Sequence, residues 1–230
     1  ASYKNIATLL AGANYTTRQM QCKGCENRCF VSRYNFEGGN KFYSGNKCER
    51  VFNNHADTSV TGEDVYPYKY KLLFGRAEEN LENGKDDDKT YRGVIGLPRV
   101  LGMYEDFPFW YTFFDALGFK VILSGPSTFV KYEGALQSVM SDNICFPAKL
   151  VHSHIAELDG RLSKIEHEER YPLAPIIFFP YVIYENKEDE LTDNSFNCPI
   201  VSAYADVITS SMKLHVQLHS PVINFSNIKL

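Results

Sequence analysis

The feature that most constrains this 230-residue chain is a series of short apolar runs from Tyr91 onward, closed by glycine or proline and separated by helix-length segments. Gly93-Val94-Ile95-Gly96-Leu97 ends at Pro98, and Lys120-Val121-Ile122-Leu123-Ser124 ends at Gly125-Pro126. Pro175-Ile176-Ile177-Phe178-Phe179-Pro180 reads as a third buried strand. Pro108 is placed to open a helix that Gly118 stops. Further helices are predicted over 127–139, from Pro147 to about Ile165 and after Pro199, before a fourth strand at Val222-Ile223-Asn224-Phe225. Strands alternating with helices predict an α/β fold over residues 92–230, a parallel sheet with helices on both faces, flavodoxin-like or Rossmann-like. Ligands of such sheets collect at the carboxyl ends of the strands.

The amino-terminal part obeys different rules. Cys22, Cys25 and Cys29 lie in Q-C-K-G-C-E-N-R-C-F, and Cys48 closes F-Y-S-G-N-K-C-E-R. Thiolates this close repel one another unless a cation or oxidation removes the charge, and short loops between thiolates let a chain wrap a soft metal. Three readings stand: a zinc site, which leads; an iron–sulfur cluster, although the spacing matches neither common ferredoxin run; and disulfides or free thiols. Residues 30–36 alternate apolar with polar, Glu37-Gly38-Gly39-Asn40 is a turn, and residues 41–44 return as a strand that brings Cys48 back to the cysteine loop. Residues 1–60 are therefore expected to form a small cysteine-rich, metal-bound hairpin unit with a short polar lead-in, too small to fold unaided.

Residues 61–91 are expected to connect the two parts. Arg76 to Lys89 is charged, with Leu81 its one large apolar residue, and reads as a solvated linker. A net charge of −4 gives no reason to expect nucleic acid or an anionic membrane as partner, and no apolar run is long enough to cross a bilayer. Six cysteines in a chain of this length suit a reducing, cytoplasmic compartment. A start at Ala1 without methionine suggests a processed product or an excised piece.

Two further cysteines stand before prolines at helix entrances: Cys145 in I-C-F-P-A-K, with Lys149 in the first turn, and Cys198 in F-N-C-P. A helix amino end and a nearby ammonium both favour thiolate. A buried structural cysteine is the plain alternative for Cys145, and a nucleophilic role lacks a base at a predictable distance. His152 and His154, two residues apart on one helix, cannot share a ligand face, and His154 is expected to face away from the Lys149 side. His55, His167, His215 and His219 show no partner pattern. The run from Phe107 to Phe114 is apolar around its whole circumference, as a core or interface helix is.

No G-x-x-x-x-G-K-S/T loop, G-x-G-x-x-G turn or G-x-S-x-G elbow is present, so the chain alone is expected to have no ATPase activity. Ile95-Gly96-Leu97-Pro98-Arg99-Val100-Leu101-Gly102-Met103-Tyr104-Glu105, Pro108-Phe109-Trp110 and Cys145-Phe146-Pro147-Ala148-Lys149-Leu150-Val151-His152-Ser153-His154 resemble the uncharacterised domain of the large CoA enzyme activases, relatives of the 2-hydroxyacyl-CoA dehydratase activators. Cys22 to Cys29, Gly45 to Arg50 and Asn197-Cys198-Pro199-Ile200-Val201 are similar to that family too. The resemblance implies ATPase domains in the same longer protein, a dehydratase-type partner and reducing power passed through iron–sulfur clusters in anaerobic metabolism. It implies a module inactive by itself that serves electron transfer or partner docking. It further implies that Cys145 and Cys198 help hold a 4Fe–4S cluster. The chain departs from that pattern in having no third cysteine near those two, with Tyr181 at a strand end where a ligand is expected.

Overall fold

Residues 14–54, 63–82, 90–165, 171–187, 189–191 and 193–225 are described by a computed structural model, which divides the chain into the units Ala1–Glu63 and Asp64–Leu230. In the first unit β1 (Tyr15–Gln21), β2 (Phe30–Phe36) and β3 (Lys41–Ser44) form an antiparallel sheet in that order. The β2–β3 hairpin matches expectation, with Gly39 supplying the positive φ its turn needs. The lead-in does not match. Tyr15 to Gln21 is a strand paired with β2 along its whole length, and Tyr15 packs on Tyr34 and Phe36. Cross-strand ring contacts compensate for its polar composition.

In the second unit, α1 (Tyr66–Glu82) precedes β4 (Val94–Leu97), and α2 (Gly102–Glu105) and α3 (Phe107–Ala116) lead to β5 (Lys120–Leu123). Then α4 (Phe129–Ala135) and α5 (Phe146–Leu162) lead to β6 (Ile176–Phe178) and β7 (Tyr181–Tyr184). Finally α6 (Pro199–Ser211) leads to β8 (Gln217–His219) and β9 (Val222–Asn224). The four strands β5-β4-β6-β8, in that order, are parallel throughout.

The two faces of β4 show how this sheet is covered. A methyl group added at Gly96 would lie 2.7 Å from Leu162 and 3.4 Å from Leu158, so α5 rests directly on the glycine. Its neighbour Ile95 points to the other face, sharing a hollow with Trp110 and Phe114 of α3. Phe178 of β6 lies there as well, 4.7 Å from Trp110 and 5.0 Å from Phe114 between ring centres. Helices thus cover both faces of a parallel sheet, and the aromatic helix is a core helix on its Phe107, Trp110 and Phe114 side.

Two expectations need correction. The charged run from Arg76 is helical as far as Glu82, because Phe74 and Ala77 turn into the core while Glu78 accepts from Tyr70 and Arg99; residues 83–89 lie outside the described residues. The strand at Val222 to Asn224 pairs with β7 in a separate two-stranded sheet, and the fourth strand of the main sheet is β8, a three-residue segment too short to show a period. The third strand is found as β6 within its expected run, and β7, just past Pro180, is a further strand the sequence reading does not include.

Candidate functional site at the carboxyl edge of the sheet

From β4 the chain steps outward to β5 and then returns past β4 to β6, so the loops leaving β4 and β6 diverge. Such a reversal opens a crevice at the carboxyl edge. A cavity of about 760 Å³ lies there, lined by Leu101, Asp106 and Phe109 from the β4 side, and by Glu185, Asn197 and Phe225 from β7, the α6 entrance and the end of β9. Leu101 holds a φ of 49°, which a non-glycine residue adopts at a cost. Asp106 occupies the cap position of α3 yet makes no capping bond, and its Oδ2 has no hydrogen-bond partner among the described residues. Burial, then the charges of Glu185 and Glu105, push its carboxyl up to about 6. Opposite it, Asn197 Nδ2 donates to the Val182 carbonyl (3.1 Å) and to Glu185 Oε1 (2.6 Å).

Cys145 and Cys198 stand at the cap positions of α5 and α6, each with an extended backbone, a proline in the first turn and no side-chain capping bond. Both are exposed. Helices in right-handed crossovers run against the parallel strands, so α5 and α6 both begin at the carboxyl edge. A buried link holds them side by side: His152, seven residues past Cys145, meets the hydroxyl of Tyr204, six residues past Cys198, at 3.0 Å. The proton positions follow from the partners. Ser138 donates its hydroxyl to the Ala135 carbonyl, so it accepts from His152 Nδ1–H (2.9 Å), and Nε2 accepts from Tyr204. Burial lowers the His152 pKa and raises that of Tyr204, with the Cys145 charge adding to the latter. Each cysteine thus stands about two turns before this link on its own helix. Lys149 donates to the Asp142 carbonyl at 2.8 Å and is engaged in its own loop.

His154 faces a different set of groups, so the two histidines do not share a face. Ser124 Oγ accepts from the Arg99 amide (2.8 Å) and lies 2.7 Å from His154 Nδ1; Ser127 Oγ lies 2.8 Å from Nε2. The Ser124 hydroxyl hydrogen, with no other recipient among the described residues, goes to Nδ1, and Nε2–H is then the donor to Ser127. In that arrangement the imidazole cannot take the Ser127 proton, and the network ties the β5 loop to α5. Burial pushes His154 down to about 4. Arg99 closes the same region from the β4 loop, donating Nε to the Ser124 carbonyl (3.1 Å) and Nη1 to Glu78 (3.1 Å) and Tyr70, over the Phe74 ring. His215 Nδ1 pairs with Asp159 Oδ2 at 2.8 Å near the start of β8. His55 and His167 lie outside the described residues.

In the first unit, the up-down-up path of β1, β2 and β3 puts the loop 22–29 and the segment after β3 at one end of the sheet. At Gly45, φ is 89° and an added methyl would lie 2.6 Å from the Phe30 carbonyl, so the strand leading to Cys48 passes hard against the residue after Cys29. Cys22 is buried and receives the Gly24 amide at 3.4 Å, while its own amide donates to the Cys29 carbonyl at 2.8 Å. Cys25 and Cys48 are exposed and Cys29 half-buried. Among the described residues, no three or more His, Cys, Asp or Glu side chains are gathered as a metal site.

Two contributors escape a reading of the sequence. Asp106 and Arg99 look like ordinary loop charges, and nothing local to either marks its burial or its partners.

No curated protein and no solved structure matches the chain. The family model described as the CoA enzyme activase uncharacterised domain matches residues 94–230, which takes in the whole parallel sheet with both Cys145 and Cys198. The chain therefore belongs to the family of the CoA enzyme activase uncharacterised domain.

Proposed function

We propose that this protein is the non-ATPase module of a CoA enzyme activase, serving electron transfer or partner docking for 2-hydroxyacyl-CoA dehydratase-type chemistry. The observation that carries the reading is the placement of Cys145 and Cys198 at the amino ends of two adjacent helices on the carboxyl edge, both exposed and neither engaged in capping. The donor set fits a cluster better than a single ion. Two thiolates on separate helix ends leave a single ion short of ligands, and a 4Fe–4S group, larger than one ion with its metal–sulfur bonds of about 2.3 Å, would suit them better. When bound, such a cluster supplies one-electron transfer. The chain's own part is to hold two thiolates at partial positive charge from the helix ends and to fix their spacing through His152 and Tyr204. Two cysteines do not complete the ligand set, so remaining ligands would come from a non-cysteine group, from elsewhere in a longer protein or from a partner subunit.

Cys22, Cys25, Cys29 and Cys48 would bind zinc, or an iron–sulfur cluster, at the end of the small sheet to which the strand path brings them. The Gly24 amide directed at Cys22 sulfur supports that use, since an N–H donor stabilises a thiolate. The partners in this reading are ATPase domains of the same longer protein and a dehydratase-type enzyme, in a reducing cytoplasm. The chain alone would turn over neither ATP nor a 2-hydroxyacyl-CoA. A second reading, a zinc-stabilised interaction module without a redox centre, draws on the same cysteine-bearing end of the first unit.

Anaerobic reconstitution separates them. The chain is incubated with iron, sulfide and zinc, then analysed for metal, sulfide and visible absorption, beside C145S, C198S and C25S variants. Iron and sulfide lost on C145S or C198S, with broad visible absorption, support electron transfer. Zinc as the one metal taken up, lost on C25S and indifferent to C145S and C198S, supports the structural module.

A further inference from the structure

The crevice at the strand-order reversal has a chemistry of its own, separate from the cysteines. Its volume of about 760 Å³ falls in the range of small-molecule sites. Among the described residues its ionisable lining is Glu105, Asp106 and Glu185, with no lysine, arginine or histidine. Glu105 is spoken for, held by Lys69 at 2.7 Å. Asp106 is not: Oδ2 is sealed from solvent without a hydrogen-bond partner among the described residues, although the residue sits where its carboxylate would ordinarily cap α3. That oxygen itself is out of a ligand's reach, but the carboxylate makes no hydrogen bond among the described residues and its charge adjoins the crevice with no cation among the described lining residues. Asn197 holds Glu185 in place across the cavity. Three phenylalanines complete the wall: Phe109 and Phe196 are 52% and 65% exposed and Phe225 meets Phe109 edge to face at 6.0 Å. Phenylalanine faces beside carboxylates attract organic cations and repel anions. A bare divalent ion is a poorer fit, since among the described residues no three acidic, histidine or cysteine side chains converge as a metal site, and the cavity is far larger than an ion needs.

We propose that this crevice binds a ligand carrying a protonated amine on an apolar body, with Asp106 and Glu185 as its charge partners and Phe109, Phe196 and Phe225 as its walls. The same chemistry excludes the polyanionic nucleotide part of a CoA thioester from this crevice, so a thioester meeting this domain would approach elsewhere. The amine could belong to a free metabolite or to a lysine side chain of a protein partner, and both present the same group to the two carboxylates.

The test titrates the full chain with phenethylammonium, with its neutral isostere 3-phenylpropanol and with a blocked lysine peptide, following Trp110 fluorescence and the phenylalanine ring signals by NMR. Saturable binding of phenethylammonium or of the peptide, absent for the alcohol and weakened roughly tenfold by Asp106→Asn and by Glu185→Gln, supports the site. Which of the two cations binds tells a metabolite from a partner side chain. Asp106→Asn removes no capping bond, and a native circular dichroism spectrum verifies its fold. Equal binding of the alcohol, indifference to both substitutions, or no binding of either cation overturns the proposal. Metal uptake by the cysteines plays no part in this readout, so its outcome is independent of the electron-transfer reading.

Discussion

Acid should destabilise the sheet unit through His154, and Asp106 should partly mask the loss. His154 is 1% exposed and pushed from 6.5 down to about 4, chiefly by burial, with the Lys131 and Arg99 charges acting in the same direction and Glu157 against it. A base with a folded-state pKa below its unfolded value binds protons preferentially in the unfolded chain. The stability it provides is full above pH 6.5 and is lost as pH falls through about 4. At 1.36 kcal/mol per pKa unit the loss amounts to ~3 kcal/mol. His152, also lowered by burial, adds to it. Asp106 runs the other way. Its carboxyl, raised from 3.8 to about 6 by burial and by Glu185 and Glu105, binds its proton first in the folded state, so a charge penalty present at neutral pH is lifted between about 6 and 3.8. Because the residue is partly exposed, solvent screening halves the nominal figure to ~1.5 kcal/mol. The assay is urea unfolding followed by Trp110, the one tryptophan of the chain, buried in the α3–sheet core. From pH 7 to pH 4 these groups should cost the native protein ~2 kcal/mol. Asp106→Asn should be ~1.5 kcal/mol more stable at pH 7 and fall more steeply in acid, while His154→Asn should start lower and fall less. Equal acid slopes for the native protein and His154→Asn would refute the reasoning.

Other outcomes can be checked on the same unfolding curves. Asp159 accepts the His215 and Val216 amides at 2.8 and 2.9 Å besides the His215 ring, and Asp159→Ala should cost about 3 kcal/mol because buried amide donors to a charged acceptor are left unmade. Gly96→Ala should cost about 1–3 kcal/mol, since the new methyl meets Leu162, a fully buried side chain with no free space to swing into. Tyr204→Phe should cost about 1–2 kcal/mol by leaving His152 Nε2 without its donor, and should broaden the Cys145–Cys198 distance distribution measured between spin labels; an unchanged distribution would show that the link does not set the spacing.

Proline and glycine made the second unit readable. Pro98, Pro108, Gly118, Pro147 and Pro199 fall at or within a few residues of real element boundaries, because a missing amide or a positive φ acts locally and leaves a mark in the sequence. The elements that were missed owe their form to distant partners. Tyr15 to Gln21 is a strand because β2 lies beside it, and Arg76 to Glu82 is helical because Phe74 and Ala77 find a core. The same division holds at the site. Cys145 and Cys198 could be picked out by residue type and by the prolines that follow, although the link between their helices rests on a histidine and a tyrosine 52 residues apart. Asp106 and Arg99 carried no signal. The shift of Asp106 is imposed partly by Glu185, and Arg99 finds Ser124 and Tyr70 at separations of 25 and 29 residues.

The two open helix ends set thermal robustness against duty. Serine, aspartate or asparagine at an amino cap stabilises a helix by about 1 kcal/mol over a side chain that makes no bond there, and α5 and α6 each forgo it by placing cysteine at that position. Selection for heat resistance alone should therefore drift toward Cys145→Asp and Cys198→Ser, each a gain in melting temperature. A laboratory lineage evolved that way would yield a tougher protein that had shed the thiols on which its proposed work depends. A library screened for stability and for iron uptake together should keep both cysteines and find its improvements elsewhere.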